Sequence, residues 1–281
     1  MTKPASVEIS RNVASALAED IGSGDLTAGL VPANAMATAR VITREAAVVC
    51  GCDWFDEVFR HLDLRVSVQW QHRDGDLVGA DQLLCKVVGP ARSILTGERT
   101  ALNFLQMLSG TATVTRRYAD AVAGTTCRIL DTRKTIPGFR VAQKYAVLCG
   151  GGVNHRIGLF DAILVKENHI AAGGSIAAAV EAGRAANSQV MLEVEVEDLE
   201  QLEQALKAHV DRVLLDNFNL DELRLAVARV QRQREGKAQL EASGNITLEN
   251  IREVAQTGVD FISIGALTKH VRAVDLSMRF E

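Results

Sequence analysis

Three short stretches, Asp131-Thr132-Arg133-Lys134-Thr135-Ile136-Pro137-Gly138, Asn154-His155-Arg156 and Val165-Lys166-Glu167-Asn168-His169, set cations singly beside Gly, Pro and His in otherwise apolar sequence. From Arg99 to Lys166 there are 10 Lys and Arg against 3 acids, a local charge of +7 in a chain whose net charge is −4. Like charges gathered this way repel unless a ligand neutralises them. The chemistry they suit is recognition of a small, multiply charged anion. Arg133 and Arg156 can grip carboxylates bidentately, His155 can orient or protonate, and Lys166 supplies a point charge, which matches a substrate with more than one carboxylate. A structural salt bridge would explain any one of them, but Asp131 and Asp161 are too few to pair with all.

Glu195 and Asp216 end neighbouring strand-like runs in the same basic context. Two hard oxygen donors of this kind suit Mg²⁺, which favours a few carboxylates with substrate phosphates and water. Either one alone is equally well explained by pairing with Lys166 or Arg133. Ser243-Gly244-Asn245 and Ile264-Gly265-Ala266 each follow a strand and are expected to open a helix, where backbone N–H groups bind phosphate well. His169 is as readily a helix cap as a catalytic group.

The elements that must position these groups follow from periodicity. Residues 35–90 read as strands between turns, a small α/β domain. Ser93 to Ser109 reads as a helix whose apolar positions include Leu95, Leu102, Leu105 and Leu108, with Arg92, Thr96, Arg99, Asn103 and Gln106 on a polar stripe. Gly110 is expected to break it before a second helix over 111–122. Strand-like runs then recur at 128–130, 162–165, 190–194, 212–215, 239–242 and 261–264, separated by amphipathic helical segments such as 198–208 and 220–230. Alternating β and α units imply a parallel sheet, here an incomplete β/α barrel with its polar residues at the C-terminal strand ends.

The negative net charge and the lack of a lysine-rich tail argue against nucleic acid. No apolar run approaches a membrane span, and the expected location is the cytoplasm. The five cysteines are odd in number, and Cys50-Gly51-Cys52 has the wrong spacing for a zinc knuckle or a Cys-x-x-Cys redox pair, so buried reduced thiols are expected.

Glu98-Arg99-Thr100-Ala101-Leu102-Asn103, Asp131-Thr132-Arg133-Lys134-Thr135 with Pro137-Gly138, Asn154-His155-Arg156, Leu164-Val165-Lys166 with Asn168-His169, Glu193-Val194-Glu195, Leu215-Asp216-Asn217 and Glu241-Ala242-Ser243-Gly244 together resemble the quinolinate phosphoribosyltransferases. The resemblance implies an N-terminal α/β sandwich domain over 1–112, joined by a C-terminal tail at about 267–281, and an open β/α barrel over 113–266. It implies transfer of phosphoribosyl from phosphoribosyl pyrophosphate to quinolinate with decarboxylation, giving nicotinate mononucleotide, CO₂ and pyrophosphate in de novo NAD synthesis, with Mg²⁺. A related phosphoribosyltransferase using another carboxylated acceptor is the alternative. By the same resemblance Arg133, His155, Arg156 and Lys166 hold quinolinate, and Lys134 contacts the donor. Glu195 and Asp216 face ribose and metal, while Ser243, Gly244, Asn245 and Gly265 hold phosphate, with Asn245 standing where many relatives have Gly. The expected assembly is a homodimer or larger, with Arg99 entering the neighbouring subunit's site.

Overall fold

The computed structural model describes residues 3–232 and 238–281. In chain order the elements are α1 (Ser6–Ile21), β1 (Met36–Thr43), β2 (Ala47–Val48), α2 (Cys52–Leu62), β3 (Ser67–Trp70), β4 (Leu77–Val78), β5 (Leu83–Pro90) and α3 (Ala91–Ala121). There follow β6 (Arg128–Leu130), α4 (Arg140–Cys149), β7 (Ala162–Val165), α5 (Glu167–Gly173), α6 (Ile176–Ala186), β8 (Met191–Val196) and α7 (Leu199–Lys207). The remainder is β9 (Arg212–Asp216), α8 (Leu220–Gln231), β10 (Gln239–Ser243), α9 (Ile251–Ala255), β11 (Phe261–Ser263), α10 (Ala266–Lys269) and β12 (Leu276–Phe280). Two compact units result: Met1–Arg116, Lys134–Gly151 and Ala266–Glu281 form the first, Arg117–Arg133 and Gly152–Gly265 the second.

The first unit is built on an antiparallel sheet in the order β12-β1-β5-β3. The C-terminal tail returns to it, pairing Thr43 with Leu276 through to Ala39 with Phe280. Alternation along β1 sends Ala39, Val41 and Thr43 inward. Ile9, Val13 and Leu17 line one stripe of α1, and Trp54, Phe55, Val58 and Phe59 that of α2, so both helices bury an apolar face. Trp54 and Trp70 place their indole N–H groups on Asn12 and Asp56, so neither donor is stranded.

Gly110 does not interrupt the helix as expected; α3 is continuous from Ala91 to Ala121. Its role is steric. A Cβ at Gly110 would lie 2.2 Å from the carbonyl oxygen of Arg272, so the missing side chain admits the returning tail against the helix. Gln106 fastens the same crossing, its carbonyl accepting from Val274 N–H at 3.1 Å and its Nε2 donating to Val274 O at 3.0 Å. Leu95, expected to be a core position, is exposed, and the adjacent Ile94 points inward instead.

The second unit holds six parallel strands in the order β6-β11-β10-β9-β8-β7. The chain-consecutive strands β6 and β7 lie at opposite edges, and the sheet stays open. Helices α7 and α8 start where side chains satisfy their first N–H groups: Asp198 accepts from Glu200 and Gln201, and Asn219 forms a capping box with Glu222. The strand expected at 190–194 extends to Val196, so Glu195 lies inside β8 and not after it.

Register decides the faces. Glu193 stands opposite Arg212, which stands opposite Gln239; Glu195 is opposite Leu214, itself opposite Glu241; Asp216 is opposite Ser243. Because side chains alternate, these residues share one face of the sheet, while Leu192, Val194, Val213, Leu215, Leu240 and Ala242 are buried on the other. One face is thus apolar and the other carries charge. Among the described residues no helix is long and apolar enough to cross a membrane.

Replacing Gly110 tests the packing argument. Gly110→Ala should lower the melting temperature, costing about 1–3 kcal/mol by overpacking despite the better helix propensity of Ala. A melting temperature equal to or above the unaltered protein's would refute the close approach.

Candidate active site

The cation loop after β6 is organised by a carboxylate. Asp131, fully buried, accepts from the backbone N–H of His155 at 2.9 Å through Oδ1 and from Asn154 Nδ2 at 2.6 Å through Oδ2. Asp161 performs the same service for the next turn, accepting from the N–H groups of Ile157 and Gly158. Asp131 thus fixes Asn154 and His155, and Asp161 fixes the backbone just after Arg156. Arg133 and Arg156 approach each other closely enough that, after burial, repulsion from Arg133 is the next cause holding Arg156 below its ordinary pKa.

Beneath them the charged face of the sheet holds a set of buried groups that sequence reasoning quoted only as parts of motifs. His155 Nδ1 accepts from the Arg156 N–H at 2.7 Å, which leaves Nε2 as the protonated nitrogen, 2.8 Å from Glu193 Oε2 and 3.5 Å from Glu241 Oε2. Arg212 donates to Glu241 at 3.2 Å and to Gln239 at 3.2 Å, and its guanidinium lies 4.1 Å from the centre of the Phe261 ring. Glu193 and Glu241 are both inaccessible to solvent. Burial raises the pKa of each, and with the charge of Glu193 added it pushes Glu241 up to about 8. At neutral pH Glu241 therefore keeps its proton, with Arg212 beside it as a charged partner. The signal for this buried set was present in sequence: Glu193 and Glu241 interrupt apolar strands at the same alternation as Glu195 and Ser243.

Toward the C-terminal strand ends, Lys166 Nζ lies 2.6 Å from Glu195 Oε2, the salt bridge weighed above as one explanation of that carboxylate. Asp216 Oδ2 accepts from Asn217 Nδ2 at 2.8 Å. Among the described residues the second oxygen of each acid is uncommitted, so the donor set fits a hard divalent cation that also takes ligand oxygens. His169 caps α5, its Nδ1 accepting from the Lys166 N–H at 3.0 Å.

The turn after β10 corrects an expectation. Ser243-Gly244-Asn245 does not open a helix, because α9 begins only at Ile251. It is a left-handed turn, with φ of +98° at Gly244 and +50° at Asn245. A Cβ at Gly244 would sit 2.1 Å from Asn217 Oδ1, so glycine is obligatory there. Asn245, an amide that tolerates this backbone region, ties its side chain to Asn217 at 3.2 Å. Gly265 directly precedes α10, which spans Ala266–Lys269. Lys134 and Arg99 belong to the first unit: both are exposed, and among the described residues Arg99 makes no hydrogen bond or salt bridge.

An open parallel β/α sheet whose strand ends gather cations, two carboxylates and a glycine turn defines a barrel-type enzyme acting on small anions. The sequence matches the family model for the N-terminal domain of quinolinate phosphoribosyl transferase over residues 25–109 and that for the C-terminal domain over 111–279. The chain belongs to the quinolinate phosphoribosyltransferase family. It is 45% identical over 269 residues to the nicotinate-nucleotide pyrophosphorylase [carboxylating] of Mycobacterium leprae, covering 94% of each chain, and 41% identical to a probable enzyme of that name from Bacillus subtilis, covering 92% and 89%. The nicotinate-nucleotide pyrophosphorylase structure from Francisella tularensis superposes with a TM-score of 0.94 at 49% identity, covering 99% of this chain and 98% of that one.

The buried pair gives a pH signature. The fold raises the pKa of Glu241 from about 4.5 to about 8, so its contribution is complete below the lower value and lost as pH rises through the upper. The unaltered protein should therefore lose melting temperature relative to Glu241→Gln as pH rises from about 5 to about 9. A difference that stays constant over that range would show that Glu241 is ionised throughout.

Proposed function

We propose that this protein transfers the phosphoribosyl group of phosphoribosyl pyrophosphate to quinolinate with loss of CO₂, yielding nicotinate mononucleotide and pyrophosphate. The observation that carries the reading is the chain's match to both domains of the family, with Arg133, Arg156 and Lys166 all inside the part matched by the C-terminal domain. Quinolinate has two adjacent carboxylates, and Arg133, Arg156 and Lys166 meet them while His155 orients the arginine loop. Lys134, next to Arg133 in the chain, neutralises the departing pyrophosphate. As the bond from C1 to pyrophosphate loosens, the ribose gains positive charge, which Glu195 and Asp216 stabilise. The pyridine nitrogen attacks C1, and the ring, now cationic, accepts the electron pair left when the C2 carboxylate departs as CO₂.

The backbone N–H groups around Ser243-Gly244-Asn245 and Gly265 hold the donor's monophosphate; the left-handed turn at Gly244 and Asn245 supports this by turning successive amides toward one side. Glu195 and Asp216 would hold Mg²⁺, which when bound neutralises the pyrophosphate as a leaving group. The five free cysteines support a reducing, cytoplasmic setting.

We read the assembly as a homodimer with shared sites. Arg99 and Asn103 are exposed on α3, and Leu26, Leu30 and Met36 are exposed apolar side chains available to a partner's surface. Arg99 reaches the neighbouring subunit's quinolinate in this arrangement.

Incubation with quinolinate, phosphoribosyl pyrophosphate and Mg²⁺ should yield nicotinate mononucleotide, while nicotinate as acceptor should be nearly inert and chelation of the metal should stop turnover. Losing the C2 carboxylate leaves gathered cations unpaired, a cost of several kcal/mol. Comparable turnover of nicotinate would move the assignment to another acceptor. For the shared site, Arg99→Ala and Lys166→Ala should each be almost inactive alone. Dissociating and remixing them should restore roughly a quarter of the unaltered activity, because half the dimers are mixed and each mixed dimer has one intact site. No recovery in verified mixed dimers would place Arg99 in its own subunit's site.

A further inference from the structure

Within the first unit, away from every residue assigned above, the thiols of Cys50 and Cys149 and the carboxylate of Asp74 lie within 4.8 Å of one another. Three such donors resemble a metal site, but Asp74 is already spent. Its Oδ1 accepts from the N–H groups of Gly51 and Cys52 at 3.0 Å each, capping α2 across a loop, and its Oδ2 accepts from Tyr145 Oη at 2.9 Å. What remains to react is the pair of sulfurs. We propose that Cys50 and Cys149 form a peroxide-reactive thiol pair that closes reversibly to a disulfide, with Cys149 the attacking and Cys50 the resolving residue.

The two thiols are not equivalent. Cys50 is fully buried, and burial pushes its pKa well up. Cys149 is partly exposed, and the neighbouring Cys50 thiol holds its pKa down against burial and the charge of Asp74. The less buried thiol is thus the one that peroxide meets first, and the second thiol lies within 4.8 Å of it. Cys52 lies nearby but is held protonated by burial and by Asp74. Both backbones are anchored. Ser109 Oγ accepts from Cys50 N–H and donates to Cys50 O, while Gly150, following Cys149, is packed so tightly that a Cβ there would lie 2.4 Å from Ala112 O. The sulfurs therefore approach by side-chain rotation toward the ~2 Å of a disulfide.

The chemistry balances with hydrogen peroxide as oxidant. Cys149 sulfur attacks a peroxide oxygen, the O–O bond breaks, the sulfur is oxidised to sulfenic acid, and the departing hydroxide takes up a proton as water. Cys50 sulfur then attacks Cys149 sulfur; the S–O bond breaks, the S–S bond forms, and the hydroxide leaves with the Cys50 thiol proton as a second water. Two thiols and one peroxide give one disulfide and two waters.

The test uses the full chain, reduced, folded and exposed to hydrogen peroxide, then blocked with an alkylating agent and mapped without reduction. A linked Cys50–Cys149 peptide is expected, with Cys52, Cys85 and Cys127 alkylated only after unfolding, and dithiothreitol should restore both thiols. In Cys50→Ala, peroxide should leave a sulfenic acid on Cys149 that dimedone traps, and in Cys149→Ala, Cys50 should stay a thiol. Persistence of the Cys149 thiol in the folded unaltered protein after excess peroxide, or a link from Cys149 to Cys52, would overturn the proposal without bearing on the assigned reaction.

Discussion

Charge in the interior of the parallel sheet is the constraint on which the rest of the second unit depends. A carboxylate removed from water is expensive unless it is paired or keeps its proton. Glu193 and Glu241 are fully buried, and the fold meets the cost in both ways: a retained proton and the guanidinium of Arg212, itself laid over Phe261. His155 joins the set through Nε2 while its Nδ1 takes the following backbone N–H.

Backbone geometry then does what side-chain charge alone cannot. Asp131 and Asp161 accept from backbone N–H groups of the 154–158 segment and thereby aim its basic side chains. Across the sheet, Gly244 admits Asn217 into contact, and Asn217 in turn donates to Asp216 and accepts from Asn245. The acid proposed to face the ribose and the turn proposed to hold phosphate are thus linked through one amide, so displacement of either disturbs the other.

The first unit follows a different logic, with apolar packing as its main support and polar groups used to fasten chain crossings. Gly110 and Gln106 receive the returning tail on α3, and β12 completes the sheet beside β1. Asp74 holds the start of α2 and accepts from Tyr145, so one carboxylate fastens two parts of the chain beside Cys50 and Cys149.

Much was legible in the sequence, for definable reasons. The alternating β and α units gave six parallel strands, because period and breaker residues are local properties of the chain. The clustered cations, together with the family motifs, pointed to a polyanionic substrate, because uncompensated charge shows in composition before any folding. Tertiary structure alone decided the rest. Gly110 reads locally as a helix breaker, yet α3 runs through it because what glycine answers there is the carbonyl of Arg272, 162 residues further along the chain. Glu193 and Glu241 belong to strands far apart in sequence, and only the register of β8, β9 and β10 puts both on the charged face of one sheet. Pairing, burial and the pKa values that follow depend on which strands become neighbours, which periodicity does not encode.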